Sequence, residues 1–331
     1  MGYNKSNFKR IREEYRTKCF RAQAIADERK EELYREINGL RELDQRLSGF
    51  GLRIMQTAIA QGNTGEGIAK LREENEKITA ARAELLRIHG FPADYSDPKY
   101  ECTKCNDTGY VGIKMCACMR KQLIEAGMAS SGLSTLMRSQ SFENFSLDYY
   151  KQNPKDYETM CANYQNLLGY ANNFSMEKDR PAPASLFLLG GTGLGKTHLS
   201  TAIARVVIER GYDVYYNSAV GMISDFEQRR FGNGLASSEE DGDNTERYTE
   251  CDLLIIDDLG TEVVNQFTLS CLYHVINTRL NLKKPTVVST NLSSAELRKL
   301  YTDRLTSRFV AEYQVVPFYG NDVRRQKISN K

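Results

Sequence analysis

No apolar run in the sequence approaches the roughly 18 residues that a membrane span requires, and the N-terminus is charged from Lys5 onward without the apolar core of a secretion signal. Both features speak against a membrane anchor and against export, so a cytoplasmic location is expected. An excess of charge is missing too: 45 lysines and arginines face 43 aspartates and glutamates. Any nucleic-acid surface must therefore be a local patch, because the whole molecule generates no strong field. Proline is absent from Asn7 to His89, which leaves that stretch free to run as helix. Internal repeats and low-complexity tracts are lacking. Eight cysteines in a chain without an export signal read as metal ligands or buried thiols in preference to a disulfide framework.

The length of 331 residues exceeds a single usual core and suggests about two domains. Over residues 1–98, Leu33, Ile37, Leu40 and Leu47, then Ile68, Leu71, Ile78 and Leu85, follow spacings of three, four and seven, the period of amphipathic helices. A helical hairpin or small bundle is expected, interrupted at 48–51 and 61–67 and closed by the turn-rich "FPADYSDP" at 91–98. A cysteine-bearing segment follows at 99–127, and 128–156 reads as a linker with aromatic anchors. From 157 to 331 short apolar strands ("SLFLLG", "DVYYNSA", "DLLIIDD", "PTVVSTN", "QVVPFYG") alternate with helical patterns. That alternation predicts an α/β domain whose parallel sheet is covered on both faces. "ASSEEDGDNTE" at 236–246 reads as a mobile insertion.

"LFLLGGTGLGKTHL" at 186–199 places Gly190, Gly195, Lys196 and Thr197 in the pattern G-x-x-x-x-G-K-[ST], between a strand and a helix. Glycines let the backbone amides of Gly190, Gly191, Thr192, Gly193, Leu194 and Gly195 turn toward phosphates, and the helix N-terminus adds positive potential. Lys196 supplies a charge for the β and γ phosphates, and the Thr197 hydroxyl is a ligand for Mg²⁺. The expected cofactors of this loop are ATP and Mg²⁺. His198 borders the same helix start and is assigned to the nucleotide site's lining, with a packing role.

Hydrolysis requires a carboxylate for the metal shell and a group that orients or deprotonates water. "LLIIDD" ends a buried strand with Asp257, expected on Mg²⁺, and Asp258, expected to activate water. Asn291, at the end of "PTVVSTN", is a neutral donor for the γ-phosphate or the water. Arg304, Arg308, Arg324 and Arg325 lie beyond it, and arginine's fork suits phosphate. Their sequence positions do not separate phosphate contacts from solvated surface groups.

"CTKCNDTGYVGIKMCAC" holds Cys102 and Cys105, then ten intervening residues, then Cys116 and Cys118. Two close pairs joined by a turn suit a closed, structural, tetrahedral Zn²⁺ site. Cys19, Cys161, Cys251 and Cys271 lack partners at ligand spacing.

Through "GGTGLGKTHL", "LLIIDDLGTE", "VVSTN" and "RLTSRF" the sequence resembles the DnaC/DnaI helicase-loader branch of the AAA+ ATPases, to which the transposition helper IstB is also similar. The resemblance is strong over about residues 140–325 and looser before them. It implies a five-stranded parallel sheet in the order 5-1-4-3-2, and ATP bound at a boundary between self-associated copies. It assigns Asn291 as sensor I, Arg308 as the finger reaching a neighbour's ATP with Arg304 as runner-up, and Arg324 as the sensor-II contact. It also implies a DnaB-type replicative helicase as partner, gripped by the N-terminal helices and zinc knuckle, and single-stranded DNA as ligand. An IstB-like helper of transposition is the alternative. Many relatives end the acidic motif in Asp-Glu, whereas this chain has Asp-Asp, so hydrolysis is expected to be slow and stimulated by partner or DNA. DNA contact calls for basic groups beside aromatic platforms. Arg229, Arg230 and Phe231 offer these, and Phe267 resembles in position an aromatic that relatives use against DNA.

Overall fold

The computed structural model describes residues 3–50, 65–133, 139–177, 179–231 and 244–329. The chain divides into two compact units, one of residues 12–118 and one of residues 1–11 with 119–331. Among the described residues no helix is long and apolar enough to cross a membrane.

In the unit of residues 12–118, α1 (Lys5–Glu36) is followed by α2 (Leu40–Ser48), α3 (Gly65–Ile88) and a short antiparallel hairpin, β1 (Tyr110–Val111) with β2 (Lys114–Met115). Leu33, Ile37 and Leu40 of the apolar stripe read from the sequence lie in its core, whereas Leu47, Leu71 and Leu85 are half-buried and the Ile68 side chain lies outside the described residues. Leu33, Ile37, Leu40 and Leu86 are fully buried, with Tyr34, Leu85, Phe91 and Tyr95 packed around them. Arg82 locks the corner by donating to Asp44 at 2.6 Å and to the Ser96 hydroxyl at 2.9 Å, while Tyr34 donates to the other Asp44 oxygen at 2.9 Å.

The larger unit is built on five parallel strands: β3 (Ser185–Leu189), β4 (Val214–Ser218), β5 (Leu253–Leu259), β6 (Thr286–Thr290) and β7 (Tyr313–Pro317). They lie in the order β7-β3-β6-β5-β4, which is 5-1-4-3-2 when counted along the sheet. Successive strand residues point to opposite faces, and here both faces are apolar. Leu186, Leu188, Ile255 and Val287 pack under α6 (Lys196–Glu209) and α5 (Pro154–Asn173). Phe187, Leu254, Ile256 and Val288 pack under α7 (Ala219–Phe231), α9 (Gln266–Asn281) and α11 (Asp303–Ala311). The near-continuous apolar strands are thus explained by burial on both sides. Three further helices complete the unit: α8 (Asn244–Glu250), α10 (Ser294–Leu300) and α12 (Val323–Ser329), with α4 (Ala117–Ser130) leading into it.

The segment read as a linker is integrated into this unit. Phe142 and Tyr150 are buried in the core, and the Tyr216 amide on edge strand β4 donates to the Ser131 carbonyl at 2.8 Å. Most of the 236–246 insertion lies outside the described residues.

Candidate active site

Strand β3 releases the chain into the glycine loop, and α6 starts at its far end with Gly195 as N-cap at φ +86°. The loop is braced from both sides by residues outside the motif. A Cβ at Gly193 would stand 1.9 Å from an Asp322 carboxylate oxygen, and one at Gly195 would stand 2.6 Å from the Phe145 ring. Tyr150 donates its hydroxyl to the Leu194 carbonyl at 2.9 Å, and the Val323 amide donates to the Gly193 carbonyl at 3.0 Å. Only residues without side chains fit between these walls.

Lys196 is 5% exposed. Its ammonium donates to the carbonyls of Gly190 and Gly191 at 2.7 Å each and to Asn291 Oδ1 at 2.5 Å. Burial lowers its pKa, and the charges of Asp258 and Asp257 act against that shift. Sensor candidate Asn291 and loop lysine are therefore joined across 95 residues of sequence.

The two aspartates diverge. Asp257 is 2% exposed, with one oxygen accepting from the Tyr216 hydroxyl at 2.8 Å and the other from the Ser289 hydroxyl. Asp258 sits at φ +54°, where the pairing of β5 with β6 shifts register, and its amide donates to the Ser289 hydroxyl at 2.9 Å. A bulge re-aims a side chain in this way, and Asp258 faces the cleft. Burial, then the charge of Asp257, raise its pKa, while Lys196, Arg324 and Asn291 oppose the rise.

A cleft of about 350 Å³ runs along these groups, lined among others by Thr192 to His198, Asp258, Asn291 and Arg324. Its volume is in the range of small-molecule sites. Gln140, Asn144, Phe145, Ser146, Tyr149, Tyr150, Val323 and Lys327 line it too, and sequence reasoning did not assign them. The signal was present in "SFENFSLDYY", with four aromatics in ten residues. His198 has its Nε2 2.8 Å from the Ser141 carbonyl and its ring edge-on to Phe145. Burial lowers its pKa, so the neutral ring donates from Nε2.

Arg308 stands apart from this cleft. It donates to Asn277 Oδ1 at 2.9 Å, to the Tyr273 hydroxyl at 3.0 Å and to the Arg304 carbonyl at 2.8 Å, and it lies 4.6 Å over the Tyr273 ring. Arg304 is exposed one turn earlier. Arg325 is exposed, with its Nε 3.8 Å from Asp322.

The four cysteine sulfurs, Cys102, Cys105, Cys116 and Cys118, lie within 4.8 Å of one another. Cys102 and Cys116 are 3.9 Å apart, Cys105 and Cys118 3.6 Å. A tetrahedron with Zn–S bonds of about 2.3 Å has edges of about 3.8 Å, so the donor set fits Zn²⁺. Asn106 and Asp107 take positive φ, 50° and 53°, to close the first knuckle. The buried Asp107 carboxylate accepts from the amides of Glu101 and Cys102 at 2.8 Å each. Amides of Cys105 and Lys104 pull the Cys102 thiol down to about 7, toward the thiolate that a metal binds.

Of the DNA candidates, Arg230 stacks over Phe267 at 5.1 Å although 37 residues separate them. Arg229 donates to the Thr245 hydroxyl. The Phe231 side chain lies outside the described residues.

Residues 180–331 match the family described as IstB-like ATP binding protein. The replicative helicase loader DnaC of Escherichia coli (strain K12) is 26% identical over 201 residues, covering 61% of this chain and 75% of that protein. The chromosomal replication initiator protein DnaA of Lachnoclostridium phytofermentans is 31% identical over 177 residues, 50% of this chain and 36% of its own. Among solved structures, the crystal structure of the DnaC helicase loader spans 56% of this chain and 99% of its own at 18% identity, with a TM-score of 0.46.

Proposed function

Because residues 180–331 form an IstB-like ATP-binding domain in an AAA+ ATPase of the DnaC type, we propose that the protein loads a DnaB-type replicative helicase onto single-stranded DNA in the cytoplasm, with ATP as its controlling ligand. The observation that carries this reading is the junction of Lys196, Asn291 and Asp258 at one cleft beneath the glycine loop.

The loop amides and Lys196 hold the β and γ phosphates, and Arg324 adds charge from α12. Thr197, which lines the cleft, and Asp257, buried behind it with both oxygens hydrogen-bonded, are the residues that would hold Mg²⁺, and the ion would neutralise phosphate charge. The hydroxyls of Tyr216 and Ser289 keep the Asp257 carboxylate oriented. Asn291 orients the attacking water and Asp258 takes its proton, so that the water oxygen bonds to the γ-phosphorus while the bond to ADP breaks. Arg308 contacts its own helices and lies off its own chain's cleft, which supports the reading that it serves the ATP of a neighbouring copy. Cys102, Cys105, Cys116 and Cys118 hold Zn²⁺ as a structural staple, and the helices beside them take the helicase.

The family description favours a second reading, an IstB-like helper of transposition, in which duplex DNA is the ligand. DNA-binding titrations with Phe267→Ala and Arg230→Ala separate the two. Because Arg230 lies on the Phe267 ring, each substitution should weaken single-strand binding about tenfold, as loss of one stacking platform does. The double variant should be little worse than either, and ATP affinity should stay unchanged. Unaltered DNA affinity in both variants removes the assignment, and tighter binding of duplex than of single strands promotes the transposition reading. Capture of the replicative helicase by the full-length protein with ATP and Mg²⁺ tests the partner directly.

A further inference from the structure

The turn that follows Asp258 is tied down bond by bond. Asp258 is a non-glycine residue at φ +54°, a left-handed conformation that side chains seldom adopt and that persists where the surroundings impose it. The Thr261 hydroxyl donates to the Asp258 carbonyl at 2.8 Å, and the Thr290 hydroxyl of β6 donates to the Leu259 carbonyl at 2.7 Å. Gly260, at φ +102°, is pressed against the residue after Asn291, for a Cβ there would stand 2.4 Å from Leu292 Cδ1. Its amide donates to Glu262 Oε2 at 2.9 Å, and the other Glu262 oxygen accepts from the Tyr301 hydroxyl. Glu262 and Tyr301 are both buried. A buried carboxyl group is costly unless hydrogen-bonded, and Glu262 spends one oxygen on the turn and the other on the residue between α10 and α11. Neither Glu262 nor Tyr301 lines the cleft, so their influence on the reaction passes through the turn.

We infer that Glu262 is a positioning residue for hydrolysis. Anchored by Tyr301, it holds the Gly260 amide and thereby fixes the Asp258 carboxylate at the cleft. The inference rests on the reading of Asp258 as the base and adds what keeps that base in place. Displacing a reacting group by about 1 Å costs on the order of a hundredfold in rate, while the loop amides and Lys196 that hold the phosphates are left as they are. The expected signature is a loss of turnover with ATP affinity kept.

The test is single-turnover hydrolysis of ATP with Mg²⁺ by the full-length protein, with ATP affinity measured by calorimetry. Glu262→Ala should lower the rate at saturating ATP about ten- to hundredfold and leave the ATP dissociation constant within about twofold of wild type. Glu262→Gln, whose amide can still meet both partners, should recover most of the rate. Tyr301→Phe should cost less than Glu262→Ala, and nothing further when combined with it, because it acts through Glu262. A wild-type rate in Glu262→Ala overturns the inference. So does an equal loss of rate and ATP affinity, or a further loss from Tyr301→Phe in the Glu262→Ala background. If Glu262→Ala does not fold, Tyr301→Phe decides alone: a wild-type rate overturns the inference, and a lower rate with ATP affinity kept upholds it. Asp258→Asn tells the two readings apart. If that variant hydrolyses ATP at the wild-type rate, the base assignment fails and this inference with it. If it is inactive while Glu262→Ala is unimpaired, only this inference falls.

Discussion

Asp257 and Asp258 are chemically identical neighbours, and their separation into a buried carboxylate and a cleft-facing one accompanies one shift of register beside β6. The strand-end carboxylates were legible in "LLIIDD", but the bulge was not, because it depends on pairing with a strand about 30 residues later. Asp258 illustrates the conflict between stability and activity that such positions carry. A carboxyl with a raised folded-state pKa holds its proton where the unfolded chain has already lost it. Folding is therefore penalised increasingly as pH rises from the ordinary carboxylate range through the raised value, and the penalty persists above it. Asp258→Asn removes that penalty. It should raise the melting temperature at neutral pH by a few degrees while cutting ATP turnover about a hundredfold or more. ATP affinity should be retained. In the wild type, turnover should decline on acidification at a pH above the usual carboxylate range, since the base must be unprotonated. A lower melting temperature for Asp258→Asn would show that the carboxylate is a net stabiliser.

Helix α9 ends on a residue whose importance nothing in the sequence signals. Arg279 is wholly buried, and its guanidinium donates to the carbonyls of Tyr248, Cys251, Asp252 and Pro285 and to the Thr286 hydroxyl. One side chain thereby satisfies the loops that feed β5 and β6, which hold Asp258 and Asn291 at their far ends. Arg279→Met strands these acceptors, so a loss of about 3–5 kcal/mol is expected, roughly 6–15 °C in thermal denaturation followed by circular dichroism. Arg279→Lys should recover little, because an ammonium cannot reproduce the planar fork. A drop of under 2 °C in both would show that water serves these carbonyls equally well. Other elements were far easier to read. The five strands and the helices between them follow from uninterrupted apolar runs and period-3.6 stripes, which are local properties. The aromatic segment at 142–150 looked like a linker because short aromatic clusters without periodicity do not announce what they pack against.

On the scale of the whole molecule, residues 3–11 belong to the ATPase unit although α1, which starts at Lys5, continues into the N-terminal unit. The Tyr3 ring covers Gly211, Asn4 donates to Asp213 at 3.3 Å, and Asn7 donates to the Ser130 hydroxyl at 2.8 Å and the Ala126 carbonyl at 3.2 Å. Ile11 is 2% exposed. Removal of residues 1–11 should therefore lower the melting temperature by about 3–8 °C, the effect of losing one to two kcal/mol from a unit of this size, with ATP affinity retained. An unchanged melting temperature would mean that these contacts are individually too weak to matter. The same packing implies that a truncation meant to isolate the ATPase should be judged against this loss before any missing activity is ascribed to the N-terminal helices.

The sequence by itself determined the strand count, the phosphate loop, the acidic strand end and the four-thiol set, because each is a matter of spacing along a few neighbouring turns. Only the tertiary structure decided which aspartate faces the cleft, that Gln140, Phe145 and Tyr150 close it, and that Arg308 points elsewhere. Those outcomes arise where segments tens to more than a hundred residues apart are pressed together, and burial there selects which polar groups find partners.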